Sequence, residues 1–175
     1  MSISQRQSEL RPPSANDGAS VFRLINQCPP LDTNSMYCNL LQCAHFSGTS
    51  VAAVDADSSS EELLGFISGY LIPERNNTLF IWQVAVSEKA RGMGLASKML
   101  LHILDRPQCT HVRYLETTIT ESNQASWALF KSLSGKLQTS LEKSIMFDRD
   151  DHLGGDHDTE FLARLGPFNF KAKSR

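Results

Sequence analysis

Phe80-Ile-Trp-Gln-Val-Ala-Val-Ser-Glu-Lys-Ala-Arg-Gly-Met-Gly-Leu-Ala96 decides the fold. Its first seven residues are a strand-like, mostly apolar run, and Leu95, Ala96, Met99, Leu100 and Ile103 then recur with helical spacing to about Asp105. Between them the chain turns through Lys89-Ala-Arg-Gly-Met-Gly94, so glycines stand where the main chain enters a helix. Unpaired N–H groups and the positive end of the helix dipole favour an anion there, and Arg91 adds charge-assisted hydrogen bonds. A phosphate or pyrophosphate is the expected ligand class. Two phosphate motifs fail on their own terms. A P-loop needs G-x-x-x-x-G-K-[ST], but Lys98 follows Ser97 and no second glycine lies at the right distance. A dinucleotide fingerprint needs a third glycine where Ser97 stands, although Glu116 lies roughly where a ribose-binding acid belongs.

Working outward, Glu9 to Pro12 is predicted as a short first strand, and Ser14 or Asn16 caps a helix to about Gln27, ended by Pro29-Pro30. Asn34 or Ser35 caps a second helix whose expected buried stripe is Met36, Tyr37, Leu40, Leu41 and Ala44, stopped by Gly48. Ser50 to Val54, Leu63 to Ile72 and Thr78 to Val86 form an expected antiparallel meander with polar links at 55–60 and 73–77. Beyond the glycine turn and its helix, a strand at about Val112 to Ile119 completes a β-α-β unit. Ser122 or Asn123 caps a further helix to about Leu133, stopped by Gly135, before strands at Ser140 to Phe147 and Glu160 to Leu165. The expected fold is α/β of the α+β kind: a mixed, mostly antiparallel sheet of about six to seven strands with about four helices. One domain is expected over residues 9–170, with a disordered tail at 1–8 and a basic tail at 171–175.

The 175 residues, 41% apolar and 21% charged, are those of a globular protein able to bury a core without staples. A formal charge of −2 and a pI near 6.2 argue against a nucleic-acid partner. Neither a signal-like segment nor an apolar run of membrane length is present in the sequence, so no membrane association and a cytoplasmic location are expected. Cys28, Cys38, Cys43 and Cys109 contain no C-x-x-C pair and read as free thiols, and no metal site is expected.

A third anion pattern, [QR]-x-x-G-x-[GA], is met in full by Arg91-Gly-Met-Gly94-Leu-Ala96. This stretch, the incoming strand Phe80 to Val86, and Asn123-x-x-x-x-x-Leu129 opening a later helix resemble the GNAT acetyltransferases, whose signature holds the pyrophosphate of coenzyme A. The resemblance implies acetyl-CoA as co-substrate. It implies that Val84, Ala85 and Val86 offer main-chain groups to the pantetheine arm, and that Arg91, Gly92, Met93, Gly94, Leu95 and Ala96 hold the pyrophosphate, with Asn123 and Phe130 beside the cofactor. It also gives the thioester oxyanion to the main-chain N–H of Val84 or a close neighbour. One departure stands out: many members carry a tyrosine that protonates the leaving thiolate, and here that position is Phe130.

Two further segments resemble the diaminobutyrate acetyltransferases within that superfamily: Cys28-Pro-Pro-Leu-Asp32-Thr-Asn34-Ser-Met-Tyr37 and Gly154-Gly-Asp-His157-Asp-Thr-Glu160, together with 80–86 and 116–124. On their own terms Asp32 and Asn34 also suit a turn and a cap, and the acidic loop suits a solvated surface. The resemblance implies acetylation of the 4-amino group of L-2,4-diaminobutyrate on the route to the osmolyte ectoine, by a homodimer. The residue chemistry agrees with it. Asp32 and Glu160 suit the 2-ammonium, Asn34 the carboxylate, and Trp82 is a further acceptor-side residue. His157 is expected to accept the proton and Tyr37 to protonate the thiolate. Another small amine, such as a polyamine or aminoglycoside, and a non-catalytic acetyl-CoA sensor remain as alternatives.

Overall fold

The computed structural model describes residues 8–56 and 62–170. Residues 1–7 of the tail expected at 1–8, the tail expected at 171–175, and most of the polar link at 55–60 lie outside the described residues; Ser8 itself opens the first strand rather than a tail. Among the described residues, seven strands make one sheet: β1 Ser8–Arg11, β2 Val51–Asp55, β3 Leu63–Ile72, β4 Arg75–Val86, β5 Tyr114–Thr120, β6 Leu141–Phe147 and β7 Glu160–Leu165. Their order is β1-β2-β3-β4-β5-β7-β6, with every neighbouring pair antiparallel except β4 and β5. The α-helices are α1 Gly18–Asn26, α2 Met36–His45, α3 Leu95–Leu104 and α4 Gln124–Lys136. The parallel pair is the one joined through α3, as a crossover connection requires.

The two sheet faces carry separate cores. Leu95, Met99, Leu100 and Ile103 of α3 and Phe130 and Leu133 of α4 pack against Leu79, Ile81, Leu115 and Ile119 on one face. Val21, Leu24 and Ile25 of α1 and Cys43 of α2 pack against Ala52, Phe66 and Ala85 on the other. α1 crosses α2 closely because Gly18 has no side chain; a Cβ there would stand 2.5 Å from Leu40 Cδ2.

Helix α2 corrects the expected stripe. Met36 is 44%, Tyr37 70% and Leu41 36% exposed, whereas Asn39, Gln42 and Cys43 are buried. Residues 39, 42, 43 and 46 share one helical face, and Phe46 orients it by stacking on Tyr70 and Trp82, with ring centroids 5.5 and 6.4 Å away. The inward amides partly satisfy each other, Asn39 Nδ2 donating to Gln42 Oε1 at 3.1 Å. Ser35 is the cap, accepting from the Cys38 N–H at 3.1 Å. Smaller differences are local. β1 begins at Ser8, and β4 begins at Arg75, so the link at 73–77 shrinks to a tight turn. α4 continues through Gly135 and ends before Gln138, whose φ of 52° is the left-handed conformation of a helix terminus.

The sheet splits in its middle. β4 pairs with β5 only at Thr78–Tyr114, Leu79–Leu115 and Phe80–Glu116, yet β4 runs on to Val86 and β5 to Thr120. Near the same point the register between β3 and β4 shifts: Ile81 faces Gly69 and Gln83 faces Ser68, leaving Trp82 as a bulge. Above Phe80 the two strands therefore diverge into a wedge whose inner edges carry unpaired main-chain groups.

Candidate active site

The wedge has two openings. On the α3 side, β4 passes through the glycine turn into the helix, with Gly94 as N-cap at φ 70° and Gly92 at φ 75°. An L side chain is strained in that left-handed region, which is why both positions are glycine. A Cβ at either would meet nothing of the protein within 4 Å, so the space above the turn is free for a ligand. The first N–H groups of α3 have no helical carbonyl to pair with and face this space. Arg91 is anchored by donating from Nε to the Val86 carbonyl at 3.3 Å, and Cys28 Sγ donates to the same oxygen at 3.4 Å. This double contact fixes the upper end of β4 to both the turn and the end of α1. Val84 and Ala85 lie just below it on the split edge, and Met93 is 43% exposed on the turn. Asn123 caps α4, its Oδ1 accepting from the Ser126 N–H at 3.1 Å. Phe130 is only 2% exposed within the larger core.

On the α1–α2 side the groups are side chains. Gln83 is 7% exposed and holds the segment before α2 onto β4: its Nε2 donates to the Asp32 carbonyl at 2.9 Å, and its Oε1 accepts from Asn34 Nδ2 at 3.3 Å. Glu160 opens β7 opposite Thr120 and stands near Asp32. Its carboxyl is held above the usual glutamate range, first by burial, against the lowering effect of a Thr118 hydroxyl hydrogen bond, and further by the negative charge of Asp32. Two carboxylates from segments far apart in sequence thus lie within electrostatic reach of each other, and a nearby cation would favour the ionised form of Glu160. Trp82, 45% exposed and next to Gln83 in sequence, continues the aromatic row of Phe46, Tyr70 and Phe80.

His157 is exposed in the loop between β6 and β7, three residues before Glu160. That loop is braced from within: Asp148 Oδ1 accepts from the Asp150 N–H at 2.9 Å, the Asp148 N–H donates to His152 Nδ1 at 3.0 Å, and the Arg149 N–H donates to Thr159 Oγ1 at 3.1 Å. Tyr37 stands 70% exposed in the first turn of α2. Burial pushes the Cys43 thiol up to about 12 and the Cys109 thiol up to about 11, so neither supplies a thiolate near neutral pH. Glu116, weighed in the sequence as a ribose ligand, is fully buried and accepts from Arg75 at 2.8 and 2.9 Å and from Arg164 at 3.0 Å. It ties β4, β5 and β7 together where the wedge closes.

Gln83 and Thr118 were not singled out by sequence. A signal for Gln83 existed: it is the one polar residue in the run from Leu79 to Val86 apart from the bulged Trp82 ring nitrogen. Thr118 carried none.

Residues 19–135 match the model of the Acetyltransferase (GNAT) family. The L-2,4-diaminobutyric acid acetyltransferase of Methylotuvimicrobium alcaliphilum is 57% identical over 159 residues, covering 91% of this chain and 90% of that protein. The enzyme of the same name from Halomonas elongata is 45% identical over 159 residues, covering 91% and 81%. Among solved structures, diaminobutyrate acetyltransferase EctA from Paenibacillus lautus, in complex with its substrate L-2,4-diaminobutyric acid and coenzyme A, aligns with a TM-score of 0.86 at 33% identity, covering 97% of this chain and 99% of that one.

Proposed function

The chain belongs to the GNAT acetyltransferase family, and from that membership we propose that it transfers the acetyl group of acetyl-CoA to the 4-amino group of L-2,4-diaminobutyrate. The products are 4-acetamido-2-aminobutanoate and coenzyme A, the former being the acyclic precursor of ectoine. The observation that carries the acceptor assignment is the likeness over nearly the whole chain to diaminobutyrate acetyltransferases, together with the Asp32–Asn34 segment that Gln83 holds onto β4.

Acetyl-CoA enters from the α3 side. Its pyrophosphate meets the turn from Arg91 to Ala96, and its pantetheine arm lies along the split edge of β4 at Val84 to Val86. The diamino acid enters from the other side. Asp32 and Glu160 hold its 2-ammonium in the charged, unreactive form, Asn34 meets its carboxylate, and Trp82 walls the methylenes. The 4-amino nitrogen is left pointing into the wedge, away from the carboxylates that would raise its pKa. An alkyl amine is only about a thousandth neutral near pH 7.4, so its proton must leave before attack. His157, three residues before Glu160, takes it, directly or through water. The nitrogen lone pair then adds to the thioester carbonyl, and the Val84 N–H stabilises the oxyanion. Collapse expels the thiolate, which Tyr37 protonates, since the Phe130 ring has no proton to give.

Two exposed apolar strips stand on the surface: Met36 and Tyr37 on α2, and Ile145, Met146 and Phe147 on edge strand β6, exposed by 59%, 36% and 39%. An open strand edge bearing such side chains favours self-association, and the working form is a cytoplasmic homodimer. Sedimentation that gives the monomer mass at micromolar concentration removes the dimer.

The function is tested by following thiol release with a panel of acceptors. Diaminobutyrate should exceed ornithine, lysine and polyamines by about tenfold or more in kcat/KM. A polyamine as best acceptor, or no thiol release with any amine, would overturn the reading.

A further inference from the structure

Lys136, the last residue of α4, donates from Nζ to Ser97 Oγ at 2.7 Å. Ser97 is the third residue of α3 and is 7% exposed, so its hydroxyl is fixed and holds the ammonium within one turn of the α3 N-terminus. Arg91 precedes the same turn, and Lys98 follows Ser97 with its N–H bonded to the Gly94 carbonyl. Among the described residues, none of these three cations forms an ion pair with a carboxylate; Lys89 nearby has Glu62. Positive charge suits a helix C-terminus, and the C-terminal turn of α4 accepts Lys136 on those grounds. At the N-terminus of α3 the same ammonium adds to the positive helix end, and so do Arg91 and Lys98. Without an anion this concentration of charge is unfavourable. Coenzyme A brings three phosphates, more than the main chain of one glycine turn can meet.

We propose that Lys136 is a fixed counter-charge for the phosphates of coenzyme A, reaching the cofactor from α4 while the glycine turn meets it from α3. This rests on the acetyl-CoA reading given above. Ser97 sets its direction, and the role is in binding, with no part in the proton transfers.

Lys136 is exposed, so its replacement leaves the core intact. In Lys136→Met the KM for acetyl-CoA should rise about tenfold, with kcat and the KM for diaminobutyrate unchanged, and the salt dependence of coenzyme A affinity should flatten. Lys136→Arg should restore most of the affinity, because it keeps the charge. Calorimetry with dephospho-coenzyme A identifies which phosphate is met. A loss that persists assigns the contact to the pyrophosphate, and a loss that vanishes assigns it to the 3′-phosphate; both uphold the counter-charge. An acetyl-CoA KM in Lys136→Met within about twofold of the unaltered protein overturns it, as does an equal fall in kcat with both substrates affected alike. If the unaltered protein binds no coenzyme A, the acetyl-CoA reading itself fails, which is a separate outcome.

Discussion

On the α3 side of the wedge, the proposed cofactor site is built chiefly from main-chain groups around two left-handed glycines in a single short turn, with Arg91 and Lys136 adding side-chain charge. On the α1–α2 side the proposed acceptor groups are side chains from separate segments: Asn34 is held to Gln83 on β4, and Glu160 stands at the start of β7 beside β5. The difference teaches where each kind of recognition can vary. A main-chain site tolerates most side-chain changes but depends on backbone conformation at a few points. A side-chain site can be retuned residue by residue, and its selectivity lies in charge and reach.

The sharpest way to break this contrast is at Gly94. Gly94→Val forces a β-branched residue into φ 70°, at a cost of about 1–2 kcal/mol, and fills the space above the turn. The acetyl-CoA KM should rise about a hundredfold while the diaminobutyrate KM stays put; a matching rise in the acceptor KM would mean that the two sides are not separate. Asp32→Asn should do the converse, lowering kcat/KM for diaminobutyrate about a hundredfold with acetyl-CoA unaffected, as steady-state kinetics with each substrate varied would reveal.

A smaller effect, about tenfold in kcat/KM, is expected of Gln83→Leu. This change removes both hydrogen bonds that seat Asp32 and Asn34 without touching either carboxylate. His157→Ala should reduce the rate more at neutral pH than at about pH 9, where more amine is already neutral; an equal loss at both would contradict its role as base.

The smallest effect is one of pH. Burial, and then the charge of Asp32, raise the Glu160 carboxyl above its ordinary value near 4.5, so in the empty protein the ionised form is the disfavoured one. Stability associated with Glu160 is therefore present at low pH and lost as pH rises through the raised value. Binding of an ammonium reverses this. Diaminobutyrate should raise Tm near neutral pH, less in Glu160→Gln, and its KM should rise as pH falls through the titration of Glu160. A KM that is flat across that range would remove Glu160 from the ammonium site.

The legibility of the sequence follows the same division. The strand, turn and helix from Phe80 to Leu104 were readable because apolar periodicity and glycine placement are local, and so were the strand order signals of the meander. α2 was misread because two arcs of that helix carry apolar residues, and only the stacking of Phe46 on Tyr70 and Trp82 decides which one turns inward. The wedge had no sequence signature, since it arises from a register shift opposite Ser68 and Gly69 and from pairing that stops at Phe80. Asp32 and Glu160 were found through resemblance; the register of β7 on β5 is what brings the second near the first, and no local pattern encodes it.

Product regiochemistry tests the central claim most directly. With acetyl-CoA and L-2,4-diaminobutyrate, the NMR spectrum of the product should carry the acetyl group on the 4-nitrogen alone, and Asp32→Asn should admit some 2-acetyl product as the hold on the 2-ammonium weakens. Acetylation at the 2-nitrogen by the unaltered protein would contradict the account.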